Sequence, residues 1–462
     1  MLTDYLLPSA YGLLVLAVAV ALFGDRLPRP QRTVAVFASV CTGSAAVLFG
    51  FARPMVFFGD KFYYTLFARF ASVGFCILAT LWLMWISGRV KGRICEAVAL
   101  GLLSLIGANV LVCVGEFITF LVALELTAMP SYILLGYWTK KRSGLEAALK
   151  YFLFSVLTTL VMSYGISLIY AASGTTIIRS VDLSGAGSLG FTGLIMLMVG
   201  MFAKVSAVPF HFWAPDAYSG APGWSVAFVS TVPKSAVMVA LIWIAGLLAG
   251  QSETLVLVFA VISGLSMVVG SFAALAQDSV RRIMAYSGVV NTGYLLIALC
   301  SLSSMSLIVI IAPLMFVFFY ALAVMGVLLI TAPEGDLVRD LAGLSKRRPV
   351  AAWALALLCL SLVGVPPLAG FFGKFYLFTA GFSSSYWPMV ILATVCSVVS
   401  AFYYLRLVKT AFFDTPEGEH TSVEGYHISR DLCAAIAIGV IVILVAVLGS
   451  LSGFLLQWLT IS

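Results

Sequence analysis

Apolar residues run along this chain in blocks of about twenty, divided by short polar stretches, almost from end to end. Fourteen such blocks lie near 6–24, 33–52, 63–87, 95–113, 116–137, 148–172, 190–210, 224–250, 254–275, 279–301, 305–331, 350–380, 386–410 and 431–460. A helix of about 20 residues, rising ~1.5 Å each, covers a hydrocarbon core ~30 Å thick. The pattern therefore predicts an all-α integral membrane protein of about 14 transmembrane helices, with no room for a soluble domain. The first block has neither a basic leader nor a small-residue cleavage site and is expected to remain as a helix.

Polar exceptions inside the blocks carry the candidate chemistry. Met201–Ser235 reads MFAKVSAVPFHFWAPDAYSGAPGWSVAFVSTVPKS and sets Lys204 and Lys234 in apolar surroundings, 30 positions apart. Read as helix, turn and helix, it brings both ammonium groups to a similar depth inside the bilayer. An ionisable group there is costly and marks a functional site by default. Pro209 follows Lys204 by five residues and Pro233 directly precedes Lys234. A proline inside a helix removes a backbone bond, and a membrane tolerates that only where the freed carbonyls face protein or water. The twelfth block repeats the theme. Pro366 and Pro367 break it, Gly370 and Gly373 loosen it, and Lys374 follows. Broken helices 7 and 12, five apart, are the sequence pointer to a transporter built of inverted repeats. The expected organisation is helices 1–3 over 1–94, a first five-helix repeat (helices 4–8) over 95–250, a second, inverted, (helices 9–13) over 251–412, and helix 14 over 413–462.

Glu125 lies in the middle of the fifth block, nine positions after Glu116. Glu116 opens its helix, where a carboxylate suits the N-terminus. Glu125 must be neutralised by desolvation or held ionised by a nearby cation, for which Lys204 is the candidate; a purely structural ion pair is the alternative. In the turn, His211 titrates near neutrality and suits proton transfer or an interfacial position, and Asp216 stands close by. Ser287, Asn291, Thr292 and Tyr294 of the tenth block are placed either to hold water or to pack helices. Arg69, a turn or two inside the third block, either snorkels to the interface or pairs with a buried acid. The charged connector APEGDLVRDLAGLSKRRP is expected to form a surface helix on the cytoplasmic side.

Composition agrees with the pattern: 62% of the 462 residues are hydrophobic and 10% charged, and mean hydropathy is +1.11. No soluble domain has such a balance. The net charge of +7 does not indicate nucleic acid, because the basic residues alternate between connections. Odd-numbered connections hold nineteen of the 26, including Arg26, Arg29, Lys91, Lys140, Lys141, Arg281, Arg282, Arg347, Arg348 and Arg430, whereas even-numbered ones hold only Arg53, Lys61 and Arg179. By the positive-inside rule the odd connections face the cytoplasm and both termini lie on the opposite side. The eight cysteines are scattered with no CxxC spacing, which argues against iron–sulfur or zinc ligation. No metal site and no nucleotide loop is expected, so any redox chemistry belongs to a partner.

ELTAMPSYILLGY with Glu125, KVSAVPFHFWAPDAYSGAP with Lys204, VPKSAV with Lys234, YSGVVNTGYLL, and LVGVPPLAGFFGKFYLF with Lys374 together resemble the antiporter-like membrane subunits of respiratory complex I, the proton-pumping NADH:quinone oxidoreductase. The NuoN type is the best match, over nearly the whole chain from the fourth block onward. Fourteen spans argue against the NuoL type, and a lysine in the twelfth span against the NuoM type. The resemblance implies that Glu125 and Lys204 are the charge pair of a first half-channel, Lys234 a central relay and Lys374 the link to the exit side. It implies no cofactor in this chain, with NADH, FMN, iron–sulfur clusters and quinone in partner subunits. It also implies NuoM-, NuoK- and NuoJ-type partners in a bacterial plasma membrane. The family commonly has histidine where Asn291 stands, so Asn291, with His211, Glu116, Asp216 and Tyr294, ranks behind the four relay residues.

Two unit charges about 5 Å apart at an effective dielectric near 20 interact by roughly 3 kcal/mol, enough to switch whether an ammonium keeps its proton. A line Glu125–Lys204–Lys234–Lys374 at mid-membrane would pass protons across, driven from redox partners. Two rivals remain at this point: a subunit of a multi-subunit Na+(cation)/H+ antiporter, and a structural spacer whose lysines pair silently with acids.

Overall fold

A bilayer core offers no water to backbone N–H and C=O groups, so a spanning segment must satisfy them internally, and the apolar blocks fold as helices. The computed structural model describes residues 5–24, 30–90, 93–138, 142–183, 187–248, 253–300, 307–382, 386–416 and 432–461. The N-terminal part comprises α1 (Leu6–Phe23), α2 (Pro30–Phe51), a hairpin of β1 (Met55–Phe57) and β2 (Phe62–Tyr64), and α3 (Leu66–Arg89). Then come α4 (Ile94–Leu111), α5 (Phe117–Gly136), α6 (Arg142–Ser173), α7 (Gly187–Lys204), α8 (Trp213–Gly220), α9 (Gly223–Val229) and α10 (Val232–Leu248). The remainder is α11 (Glu253–Leu275), α12 (Val280–Leu299), α13 (Leu307–Thr331), α14 (Leu344–Arg347), α15 (Pro349–Val363), α16 (Ala369–Phe382), α17 (Pro388–Phe413) and α18 (Leu432–Ile461).

Among the described residues twelve helical runs are long and apolar enough to cross a membrane, with α9 and α10 forming one of them. Two of the fourteen expected blocks are not among them. α12 has 20 residues but carries Ser287, Asn291 and Thr292. α15 and α16, of 15 and 14 residues, meet at a joint. α13 is the most enclosed span, packed among α3, α9, α10, α12, α15, α16 and α18, whereas α1, α6, α17 and α18 form the rim.

Between apolar helices in lipid, small residues that let backbones approach do the work hydrophobicity does in water. α6 and α7 meet at facing glycines: a Cβ on Gly165 would sit 2.7 Å from the Gly193 carbonyl oxygen, and one on Gly193 would sit 2.6 Å from that of Gly165. This contact fixes the rotation of α6, whose polar side chains reach the site described below.

Two local readings are corrected. The third block was expected to begin helically at 63; instead Phe62–Tyr64 pairs antiparallel with Met55–Phe57, and α3 starts at Leu66 behind a Thr65 cap. The connector over 332–349 is not one surface helix. It forms a 3-10 turn (Val338–Leu341) and the single turn α14, because Gly335 and Gly343 adopt φ of +138° and +68°. Its acids turn inward instead. Glu334 receives Arg348 at 2.6 Å and Arg347 at 3.2 Å, and Asp336 receives Arg281 Nε at 2.6 Å. These partners all belong to odd connections, while Lys61 of an even one pairs with Glu116 at 3.7 Å. Arg26, Arg29, Lys91, Lys140, Lys141 and Arg430 lie outside the described residues.

Gly193→Leu forces α6 and α7 apart and is expected to destabilise the chain by about 1–3 kcal/mol. Gly12→Ala, at a position with nothing within 4 Å, is expected to leave the thermal midpoint in detergent unchanged, and thermal unfolding of the two variants checks the contrast.

Candidate functional site

α7 ends at Lys204, and helix resumes only at Trp213. The break therefore begins five residues before Pro209, which sits within the turn. The groups that would be orphaned are met by neighbours: the Ala203 carbonyl accepts from Trp213 Nε1 at 2.9 Å, the Val205 carbonyl from Thr292 Oγ1 at 2.9 Å, and Val208 N–H donates to Ser266 Oγ at 3.0 Å. A second break falls at Ser230–Thr231. Pro233 is in the first turn of α10 rather than in a helix interior, where its missing N–H costs nothing. Pro366 and Pro367 lie between α15 and α16.

Lys204 is buried at the C-terminal end of α7, where the helix dipole favours a cation. Its Nζ donates to Glu125 Oε1 at 2.9 Å, Ser155 Oγ at 2.5 Å and the Tyr132 hydroxyl at 3.2 Å. The three ammonium donors thus have three acceptors. Thr159 Oγ1 also donates to Glu125 Oε1, at 2.5 Å, and Tyr132 and Ser155 hydroxyls are in contact with one another. Glu125 Oε2 is buried with no hydrogen-bond partner.

Two residues beyond Lys204, Ser206 adopts φ +60°, a conformation that non-glycine residues rarely take and that clusters at functional sites. The turned-back Ser206 Oγ accepts from Lys234 Nζ at 2.8 Å. On its other side Lys234 abuts Gly288 of α12: a Cβ there would sit 2.6 Å from Nζ and 3.4 Å from the Tyr320 hydroxyl. Tyr320 in turn lines a cavity of about 10 Å³ with Asn291, Ser361 and Lys374, which is room for about one water molecule.

Lys374 of α16 points its ammonium back at the end of α15. It donates to the carbonyls of Leu362 at 2.8 Å and Val363 at 3.0 Å and to Ser397 Oγ of α17 at 2.9 Å. The Tyr294 ring lies 5.5 Å beneath it. An apolar crevice of about 680 Å³ between α16 and α17 reaches Lys374 and Ser397. Among the described residues no carboxylate pairs with Lys234 or Lys374.

The structure thus brings Glu125 to Lys204 and brings Asn291 and Tyr294 to the surroundings of Lys374. Asn291 itself donates to the Ser287 carbonyl at 2.8 Å. Glu116 stays apart at the head of α5, accepting from Thr176 at 2.8 Å. Asp216 is half exposed and pairs with Lys150 and Arg282, at 3.6 and 3.8 Å. His211 is partly buried near the Tyr286 ring, 6.2 Å between centroids. Tyr132, Ser155, Thr159, Ser206, Tyr320 and Ser397 were not singled out from sequence. Tyr132 carried a signal, since seven residues after Glu125 it shares that face of α5. So did Ser155 and Thr159, one turn apart. Among the described residues no group of three or more His, Cys, Asp or Glu could hold a metal.

Glu125→Gln strands the Lys204 ammonium and is expected to cost about 3–5 kcal/mol, because removing one partner of a buried pair leaves an uncompensated charge. The double variant Glu125→Gln, Lys204→Met is expected to recover most of that loss. Thermal unfolding of the single and double variants in the same detergent checks it.

The family described as "NADH:quinone oxidoreductase/Mrp antiporter, TM" matches residues 114–400. NADH-quinone oxidoreductase subunit N of Rhodospirillum rubrum is 35% identical over 374 residues, 78% of this chain and 77% of that protein. Subunit N of Paramagnetospirillum magneticum is 35% identical over 404 residues, 83% of each. A chain of respiratory complex I from Thermus thermophilus superposes with a TM-score of 0.83 at 30% identity, covering 97% of this chain and 98% of that one. A chain of the Mrp complex from Dietzia sp. has the same fold, with a TM-score of 0.86 at 20% identity over 99% and 96%. By its buried lysines, its broken helices and these matches, the chain belongs to the NADH:quinone oxidoreductase/Mrp antiporter family of membrane subunits, among the subunit N relatives.

Proposed function

We propose that the chain is the proton-translocating subunit N of an NADH–quinone oxidoreductase. The observation that supports this reading is three buried lysines at or beside helix ends, with Lys204 on Glu125 at 2.9 Å, Lys234 on Ser206 at 2.8 Å and Lys374 on the Leu362 carbonyl at 2.8 Å; the path proposed runs from Glu125 through Lys204 and Lys234 to Lys374. In this scheme Lys204 holds its proton while Glu125 lies 2.9 Å away and releases it when the carboxylate moves off. Lys234, hydrogen-bonded to Ser206 two residues beyond Lys204 in the chain, is the second lysine of the scheme. The Tyr320 hydroxyl and a water in the small cavity carry the proton toward Lys374, which hands it to the exit side through the crevice beside Ser397. The two sequence repeats, 95–250 and 251–412, supply one half-path each.

This chain offers no redox group in the scheme. Electron transfer from NADH through FMN and iron–sulfur clusters to quinone takes place in partner subunits, and the energy arrives through contacts with NuoM-, NuoK- and NuoJ-type neighbours. The protein is a multi-pass membrane protein; its similarity to bacterial subunit N proteins supports a bacterial plasma membrane, and the charge alternation supports both termini on the non-cytoplasmic side.

The test is purification through a tag on this chain. Flavin, iron–sulfur clusters and NADH–quinone activity are expected in the same particle. A colourless set of membrane chains showing Na+-dependent proton exchange would replace this reading by the Mrp-type antiporter, whose fold the chain shares. In vesicles, Lys204→Ala is expected to lower protons moved per electron pair. Gly288→Ala, which pushes a methyl against the Lys234 ammonium, is expected to do the same without loss of assembly. Full stoichiometry in both would sink the relay.

A further inference from the structure

We propose that the groove between α2, α3 and α18 holds one phospholipid of the surrounding bilayer, with its phosphate against Arg69. The groove has a volume of about 780 Å³, within the roughly 300–1,000 Å³ range of ligand sites. Small residues open it: Gly43, Ala46, Val47 and Gly50 recur on one face of α2, and Val73, Ile77 and Met84 of α3 face them, with Val440 of α18 alongside. Two of its lining groups are polar. Thr80 is satisfied, donating to the Cys76 carbonyl at 2.7 Å and lying 2.8 Å from the Thr42 hydroxyl. Arg69 is not. Its Nε is buried and lacks a hydrogen-bond partner, and among the described residues no carboxylate pairs with it.

A guanidinium one turn inside a membrane span needs an anion or water, and its planar fork matches phosphate oxygens two at a time. The Arg69 Nε is covered by the protein although the residue as a whole is only half-buried, so an anion can reach the rest of the fork. Dimensions select the rest of the occupant. From Arg69 to Met84 the groove follows fifteen residues of α3, about 22 Å at ~1.5 Å per residue. That exceeds the roughly 15 Å depth of one leaflet, so a whole acyl chain fits along it. Apart from Arg69 and Thr80, the lining over that length is apolar. A charged end and a long apolar body describe a phospholipid. The inference does not rest on the proton-pumping role.

The experiment uses the membrane particle purified through a tag on this chain in mild detergent. A cryo-EM map of the wild-type particle is expected to show elongated density along the groove, ending in a headgroup at Arg69. Native mass spectrometry with lipid extraction is expected to find one tightly held phospholipid fewer per chain in Arg69→Gln and in Gly50→Leu. The latter fills the groove without touching the charge, since a Cβ at Gly50 lies 3.7 Å from Val73. Delipidated wild-type particles are expected to regain that lipid from phosphatidylglycerol vesicles but not to bind inorganic phosphate alone at the site. A protein segment or no density in the groove, or an unchanged lipid count in both variants, would overturn the proposal. If Arg69→Gln does not assemble, the wild-type map and Gly50→Leu decide.

Discussion

Everything in this fold that is not simple helix packing follows from one constraint: a broken helix inside a bilayer leaves carbonyls and N–H groups that something buried must meet. At the end of α7 they are met by Trp213, Thr292 and Ser266, side chains from three different elements. At the end of α15 they are met by an ammonium, since the Leu362 and Val363 carbonyls bind Lys374 directly. Break and cation thus stabilise one another. A lysine alone would be uncompensated among apolar side chains, and an open helix end alone would be unsatisfied.

The same constraint explains why the candidate site was partly legible in the sequence. Lys204, Lys234, Lys374 and Glu125 stand out because an ionisable group inside an apolar block is costly, and the prolines nearby mark where the backbone is expected to open. Serines, threonines and tyrosines carry no such contrast, since they pack between membrane helices everywhere. Ser206 was invisible for a further reason: its importance lies in a left-handed backbone conformation that no residue type announces. Tyr132 was within reach, by helical spacing, once Glu125 was chosen, whereas Ser155 and Thr159 lie on α6, which that spacing does not reach.

Block boundaries were legible to a few residues, and the misjudged places are those where long-range partners overrode local pattern. The 334–348 connector has a helical look in its charges, yet Arg281, Arg347 and Arg348 draw its acids inward and two glycines turn the chain. Pro209 marked a break whose start lies at Lys204, because the helix ends where its terminal dipole meets the ammonium and not where the first proline forbids continuation.

Among the described residues the three buried lysines share one carboxylate partner, Glu125, which pairs with Lys204 alone. With every lysine charged, the apolar interior would hold two positive charges more than negative ones along one short path. Like charges in a medium of low dielectric exclude one another. In the proposed relay the three sites therefore cannot fill independently: a proton settling on one discourages occupancy of the next. The scarcity of acids makes the path behave as a queue with vacancies, in which transport is the movement of an empty place backward as much as of a proton forward.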